Sequence, residues 1–201
     1  MANQFFVAPS PHVHSAESTT KIMRDVVIAL LPALVVSALL FGWSVLGVTA
    51  LSVVCCVVFE YLIQRFMLRG APTVGNLSAV VTGVLLAFNL PASIPWWIVV
   101  IGAFVAIAIG KMTFGGLGKN FVNPALAGRA FLMLSYPVAM TTWAAPGQRV
   151  GLLSAADAVT GATPLSADFM HQGLLPEGVS LQNMFVGNIG GCMGEISALL
   201  L

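Results

Sequence analysis

Ile22-Met-Arg-Asp-Val-Val-Ile-Ala-Leu-Leu-Pro32-Ala-Leu-Val-Val-Ser-Ala-Leu-Leu-Phe41 is an apolar run broken only by Arg24, Asp25, Pro32 and Ser37. About 20 such residues at 1.5 Å rise cover the roughly 30 Å hydrocarbon core of a bilayer. The run reads as a transmembrane helix. Pro32 within it predicts a kink, which neighbouring helices can accommodate in lipid. The twenty residues before it are polar and the run is long enough to span, so it is expected to remain as an anchor and not to be cleaved as a signal. Met1 to Thr20, with Pro9, Pro11, His12 and His14, has no helical periodicity and reads as a tail. His12 and His14 have no further ligand beside them, and read as solvated rather than metal-bound.

Composition extends this reading to the whole chain. Of 201 residues, 58% are hydrophobic and 7% charged, where soluble domains carry about 25% charged residues. The mean hydropathy is +0.97. The net charge of +1 offers no field for nucleic acid, so no nucleic-acid partner is expected. Cys55, Cys56 and Cys192 suit small apolar packing positions, and their spacing supplies neither a disulfide framework nor a metal site.

Further spans follow outward from the first. Gly42-Trp43-Ser44 is a turn with an interfacial Trp, and Val45 to Met67 is a second span carrying Glu60 near its end. Asn76 to Leu90 is short and polar-edged, which suggests a broken or recessed helix. Trp96-Trp97 anchors a fourth span that runs to about Gly110. Phe114-Gly-Gly-Leu-Gly-Lys119-Asn120 lacks the ending of a phosphate-binding loop and reads as a close-packed turn. Asn123-Pro124 starts a fifth span, through Arg129 to about Tyr136, where Pro137 is expected to stop it. Asn76-Leu-Ser-Ala-Val-Val resembles Glu195-Ile-Ser-Ala-Leu-Leu, a weak hint of an internal repeat.

With the N-terminus inside, Lys21, Arg24, Arg65, Arg69, Lys111 and Lys119 all fall on inner loops and Arg149 outside. Glu60 and Arg129 lie within spans. A charge at mid-bilayer costs at least about 2.5 to 3.5 kcal/mol, which makes both candidate polar sites. Glu60 has a second reading, in which it snorkels to the inner interface beside Arg65.

The segment between the fifth span and the final apolar stretch holds Asp157-Ala-Val-Thr160-Gly161-Ala162-Thr163-Pro164-Leu165-Ser166. Pro164 biases Thr163 toward an extended backbone. Gly161 and Ala162 leave the hydroxyl of Thr163 approachable by another enzyme's active site, as an acceptor of covalent modification requires. Thr160 and Ser166 are the alternative acceptors. The competing reading is a polar turn.

The chain resembles the D subunit of the Rnf complex, the ion-pumping ferredoxin:NAD oxidoreductase of bacteria, and more distantly the B subunit of the sodium-pumping NADH:quinone oxidoreductase. The likeness rests on Ser10-Pro11-His12, Phe41-Gly42-Trp43, Pro95-Trp96-Trp97, Gly115-Gly-Leu-Gly118, Asn123-Pro124-Ala125, Met140-Thr-Thr-Trp143 and Thr160-Gly-Ala-Thr163-Pro-Leu. It implies FMN on Thr163 through a phosphoester, installed by a flavin transferase that recognises Asp157 and Thr160. It also implies noncovalent riboflavin, other subunits of the redox complex as partners, and further spans beyond residue 201.

The expected fold class is thus an all-α integral membrane protein of about five transmembrane helices plus a partial sixth. Residues 1–20 form a cytoplasmic tail, 21–137 the five-span domain, 138–189 an outer-face flavin-bearing loop, and 190–201 the start of the sixth segment. The expected function is electron relay in an ion-translocating complex in the bacterial inner membrane, a subunit and not a complete enzyme. The rival readings are a solute transporter without redox chemistry and a quinone reductase subunit.

Overall fold

A computed structural model describes residues 17–69, 73–145, 147, 163 and 180–194. Helix α1 (Thr19–Phe41) opens on Ser18, whose side chain accepts from the Lys21 amide, and closes at Gly42. Gly42 has a φ of 85°, a conformation that a side chain would disfavour. The helix continues through Pro32. Several of its large apolar side chains stay uncovered by protein, with Val35 57% and Leu39 79% exposed, while Phe41 is buried. A face this apolar is suited to lipid.

Helix α2 (Ser44–Leu62) runs on into a π-helical segment, Ile63–Met67. A 3-10 turn, Val74–Asn76, precedes α3 (Ser78–Phe88). Helix α4 (Trp96–Phe104) likewise widens into a π-helical segment, Val105–Met112. Then come α5 (Pro124–Ser135), α6 (Pro137–Thr141) and α7 (Leu181–Val186). All the helices described fit the expected all-α class.

Two helices, Thr19–Phe41 and Ser44–Met67, are long and apolar enough to cross a membrane. The other three expected spans are shorter. Trp96–Met112 is an apolar helix, and its 17 residues reach roughly 25 Å. The 11 residues of α3 reach about 16 Å, and the 12 of α5 about 18 Å. Helix α5 ends at Ser135, as expected of a stop at Pro137, and Pro137 then opens a new short helix, since proline at the first helical position has no amide to satisfy.

Small residues let these helices approach closely. A Cβ at Gly83 would lie 2.7 Å from the Cα of Val53, and Ser52 Oγ donates to the Gly83 carbonyl at 2.8 Å across the α2–α3 contact. A Cβ at Gly128 of α5 would lie 2.9 Å from the Gly102 carbonyl oxygen of α4. The core between the helices includes Phe41, Val45, Leu86, Leu90, Ile98, Ile107 and Leu132.

The helices alternate in direction, so two ends can be distinguished. Trp43, Trp97 and Tyr136 belong to one end, where the Trp97 and Tyr136 rings meet edge-on at 5.2 Å. Gly147 N donates to Leu40 O there at 2.9 Å, and Met193 N and Gly194 N donate to Leu90 O and Phe88 O. Chain segments on either side of residues 148–179 are therefore rooted toward this end. Lys21, Arg24, Arg65, Arg69 and Lys119 belong to the opposite end, and Lys111 lies inside the helix packing there.

Candidate functional site

The opposite end holds a buried polar network. Lys111 Nζ lies 2.5 Å from Glu60 Oε2 and donates to Ser78 Oγ at 2.6 Å. Each of the paired side chains is 1% exposed. Ser78 Oγ and Ser78 N both donate to Asn76 Oδ1, at 2.6 and 2.9 Å. On the other side of the carboxylate, Gln64 Nε2 donates to Glu60 Oε1 at 3.2 Å and to Thr73 Oγ1 at 2.7 Å. Thr73 N returns a bond to Gln64 Oε1 at 2.7 Å.

Local backbone geometry brings these groups together. The π-helical segments place Gln64 one turn beyond Glu60 and carry Lys111 into the packing from α4. Such widened turns change the phase of a helix and are frequent at functional sites. Leu77, at φ 62°, turns the chain so that Ser78 begins α3 beside Lys111. Removing one partner of a buried pair would leave an uncompensated charge at a cost of about 3–5 kcal/mol. Within the pair, both charges are matched and both carry additional hydrogen bonds.

Two expectations are corrected by this geometry. Glu60 does not snorkel toward Arg65; it is 0% exposed and pairs with Lys111. Lys111 is not on an inner loop, since the helix does not end at Gly110 but continues to Met112. Sequence reasoning missed Lys111, Gln64, Thr73 and Ser78 as partners of Glu60. The available signal was a lysine directly abutting an apolar run with no intervening turn residue.

Two cavities flank the network. One, of about 350 Å³, is lined by Gln64, Thr73, Asn76, Met112, Gly115 and Gly116 among others. The second, of about 360 Å³, is lined by Lys111, Ser78, Thr82, Asn120 and Asn123, with Val81, Leu85 and Phe121 giving it apolar walls. Both volumes are within the range of small-molecule sites. Asn120 Oδ1 is buried and has no hydrogen-bond partner among the described residues. The residues that line the second cavity thus include Lys111, whose side chain is 1% exposed, and Asn120, whose Oδ1 is buried, beside apolar walls.

Arg129 occupies a separate place. Its Nη1 donates to Asn89 Oδ1 at 2.6 Å, and Asn89 Nδ2 donates to Leu85 O at 2.8 Å. The guanidinium thus lies at the C-terminal end of α3, where the helix dipole favours positive charge. Arg129 is not brought together with Glu60 in one network by any of these bonds.

Thr163 is half-buried. Asp157, Thr160, Gly161, Ala162 and Ser166 lie outside the described residues, as do His12, His14, Arg149 and the second copy of the suggested repeat at Glu195. Among the described residues there is no group of three or more His, Cys, Asp or Glu side chains that could hold a metal ion.

Comparison with known proteins gives a consistent result. The D subunit of the Na(+)-translocating ferredoxin:NAD(+) oxidoreductase complex of Acetobacterium woodii is 49% identical over 197 residues, covering 97% of this chain and 59% of the relative. The D subunit of the proton-translocating ferredoxin:NAD(+) oxidoreductase complex of Clostridium ljungdahlii is 43% identical over 206 residues, covering 99% of this chain and 60% of the relative. The D subunit of the ion-translocating oxidoreductase complex of Vibrio atlanticus is 40% identical over 194 residues, covering 94% and 53%. The chain spans between half and three fifths of the length of these relatives. Residues 6–201 match the NQR2, RnfD, RnfE family, and the chain belongs to that family.

Proposed function

We propose that this chain is part of the D subunit of an ion-translocating ferredoxin:NAD oxidoreductase complex in the bacterial inner membrane, and that it carries FMN covalently on Thr163 as an electron relay. The observation that carries the reading is the Thr160-Gly-Ala-Thr163-Pro sequence in a chain 49% identical to the D subunit of the Acetobacterium woodii complex. The partners are the other subunits of the complex, the surrounding lipid, and a flavin transferase during maturation.

Thr163 offers the chemistry the attachment needs. Its hydroxyl would hold the FMN phosphate as an ester, with Gly161 and Ala162 leaving the approach open and Asp157 and Thr160 serving transferase recognition. A flavin so held supplies electron transfer, while the protein supplies position and electrostatics. With the cationic end facing the cytoplasm, as the positive-inside rule favours, the roots of the Thr163 segment lie toward the outer face.

We further propose the second cavity as the place of the noncovalent riboflavin that the resemblance implies. Lys111 and the Asn120 amide would hold the polar edge of the ring system, and Val81, Leu85 and Phe121 its apolar faces.

The test is coexpression of the full-length subunit with the flavin transferase, followed by denaturing electrophoresis. In-gel flavin fluorescence is expected in wild type and in Thr160→Ser, and lost in Thr163→Ala. Fluorescence retained in Thr163→Ala would overturn the assignment. A colourless wild-type protein would favour a transporter without redox chemistry, and copurification with quinone reductase subunits would favour the other branch of the family.

A further inference from the structure

The Glu60–Lys111 pair connects the two cavities. Gln64, bonded to Glu60 Oε1, lines the first, and Lys111, paired with Glu60 Oε2, lines the second. Lys111 is thus a positive charge on a flexible four-carbon stem, and Asn120, which lines the same cavity, has a buried Oδ1 that no hydrogen bond fills among the described residues. We propose that Lys111 is a two-position cation. In this structure it neutralises Glu60; when an electron-rich group occupies the second cavity, its ammonium moves toward that group and Asn120, and Glu60 takes a small monovalent cation from the first cavity in exchange.

Charge balance drives the exchange. Inside a low-dielectric site neither the carboxylate nor a newly negative occupant is stable without a counter-charge. One ammonium cannot serve both, so its departure from Glu60 creates demand for one incoming positive charge. The incoming charge meets oxygen atoms already oriented around the vacated position, from Glu60 and Ser78. Thr73 and Gln64 stand on the route from the first cavity. A proton and an alkali ion satisfy the same demand.

Few other charges compete. On α2, the buried thiol of Cys56 is one turn from Glu60, while Tyr61 and Arg65 are exposed. Helix α3 contributes no titratable side chain, and Lys21, Arg24 and Asp25 of α1 are exposed. The carboxylate's balance is therefore set chiefly by Lys111.

The identity of the occupant rests on the riboflavin reading above, so the test has one arm that needs no flavin. The intact complex is purified with wild-type subunit, with Lys111→Met, and with Glu60→Gln/Lys111→Met, and is examined for ²²Na⁺ binding and for a protonated-carboxyl band in infrared difference spectra. Lys111→Met mimics the withdrawn ammonium. It is expected to gain either stoichiometric Na⁺ binding, which identifies the alkali ion, or a carboxyl band, which identifies the proton; the double variant loses both. In the second arm, wild-type complex reduced with dithionite is expected to gain the same signal, and Glu60→Gln is not. Should Lys111→Met fail to assemble, Lys111→Arg tests the switch through a smaller Glu60-dependent signal on reduction. Absence of the signal in assembled Lys111→Met would overturn the cation exchange. A signal there but none in reduced wild type that holds noncovalent riboflavin would overturn the movement of Lys111. Acid-released, noncovalent riboflavin is quantified in the same preparations: its absence overturns the riboflavin reading while leaving the Lys111→Met arm intact, and riboflavin present without a signal on reduction overturns the movement of Lys111.

Discussion

Lys111 of the π-helical segment after α4 and Glu60 of α2 form an ion pair, with Lys111 Nζ 2.5 Å from Glu60 Oε2 and each side chain 1% exposed. The pair joins two helices through charges that neither could keep alone. Lys111→Met is expected to destabilise the protein by about 3–5 kcal/mol, with Glu60→Gln/Lys111→Met recovering most of that loss. Denaturant unfolding in detergent measures both. Equal losses in the single and double variants would show that packing, not charge, dominates.

Gly83 and Gly128 set the approach of α3 to α2 and of α5 to α4. A methyl group at Gly83 would meet the backbone of Val53 at 2.7 Å, so Gly83→Ala is expected to cost about 1–3 kcal/mol by overpacking. Gly75→Ala meets nothing within 4 Å and serves as the control. Thermal unfolding should separate them, with a lower midpoint for Gly83→Ala; matching midpoints would contradict the close contact.

Arg129 and Asn89 share a charge-assisted hydrogen bond at 2.6 Å. Asn89→Ala is expected to cost about 1.5–3 kcal/mol, the range for bonds to charged groups. Arg129→Met in the Asn89→Ala background should then add less than it does alone. A double-mutant cycle reads this coupling, and strict additivity would remove it.

The basic residues of the cationic end, Lys21, Arg24, Arg65, Arg69 and Lys119 with the buried Lys111, predict a cytoplasmic location for Gly115, with Gly147 outside. In a variant lacking Cys55, Cys56 and Cys192, an impermeant thiol reagent added to intact cells should label Gly147→Cys before Gly115→Cys. The reverse order would invert the topology.

The long elements were legible because their signal is local. Apolar runs give α1 and α2, and Asn123-Pro124 marks the start of α5, where the Asn123 side chain accepts from Ala125 N at 3.0 Å. The cost of an intramembrane charge singled out Glu60. Its partner was hidden because the π-helical segment shifts the phase of α4 and extends it past Gly110, which carries Lys111 inward. Thr73, nine residues from Gln64 along the chain, and Ser78, 33 from Lys111, meet the network only through tertiary packing. Residue spacing alone does not reveal such bonds.

Peptide mass spectrometry of the full-length subunit, coexpressed with its flavin transferase and digested after denaturation, tests the central claim most directly. The account predicts an FMN phosphoester on the peptide containing Thr163, with fragmentation placing the added mass on that residue. FMN on a peptide that lacks residue 163, or the flavin fragment assigned to Thr160 or Ser166, would contradict it.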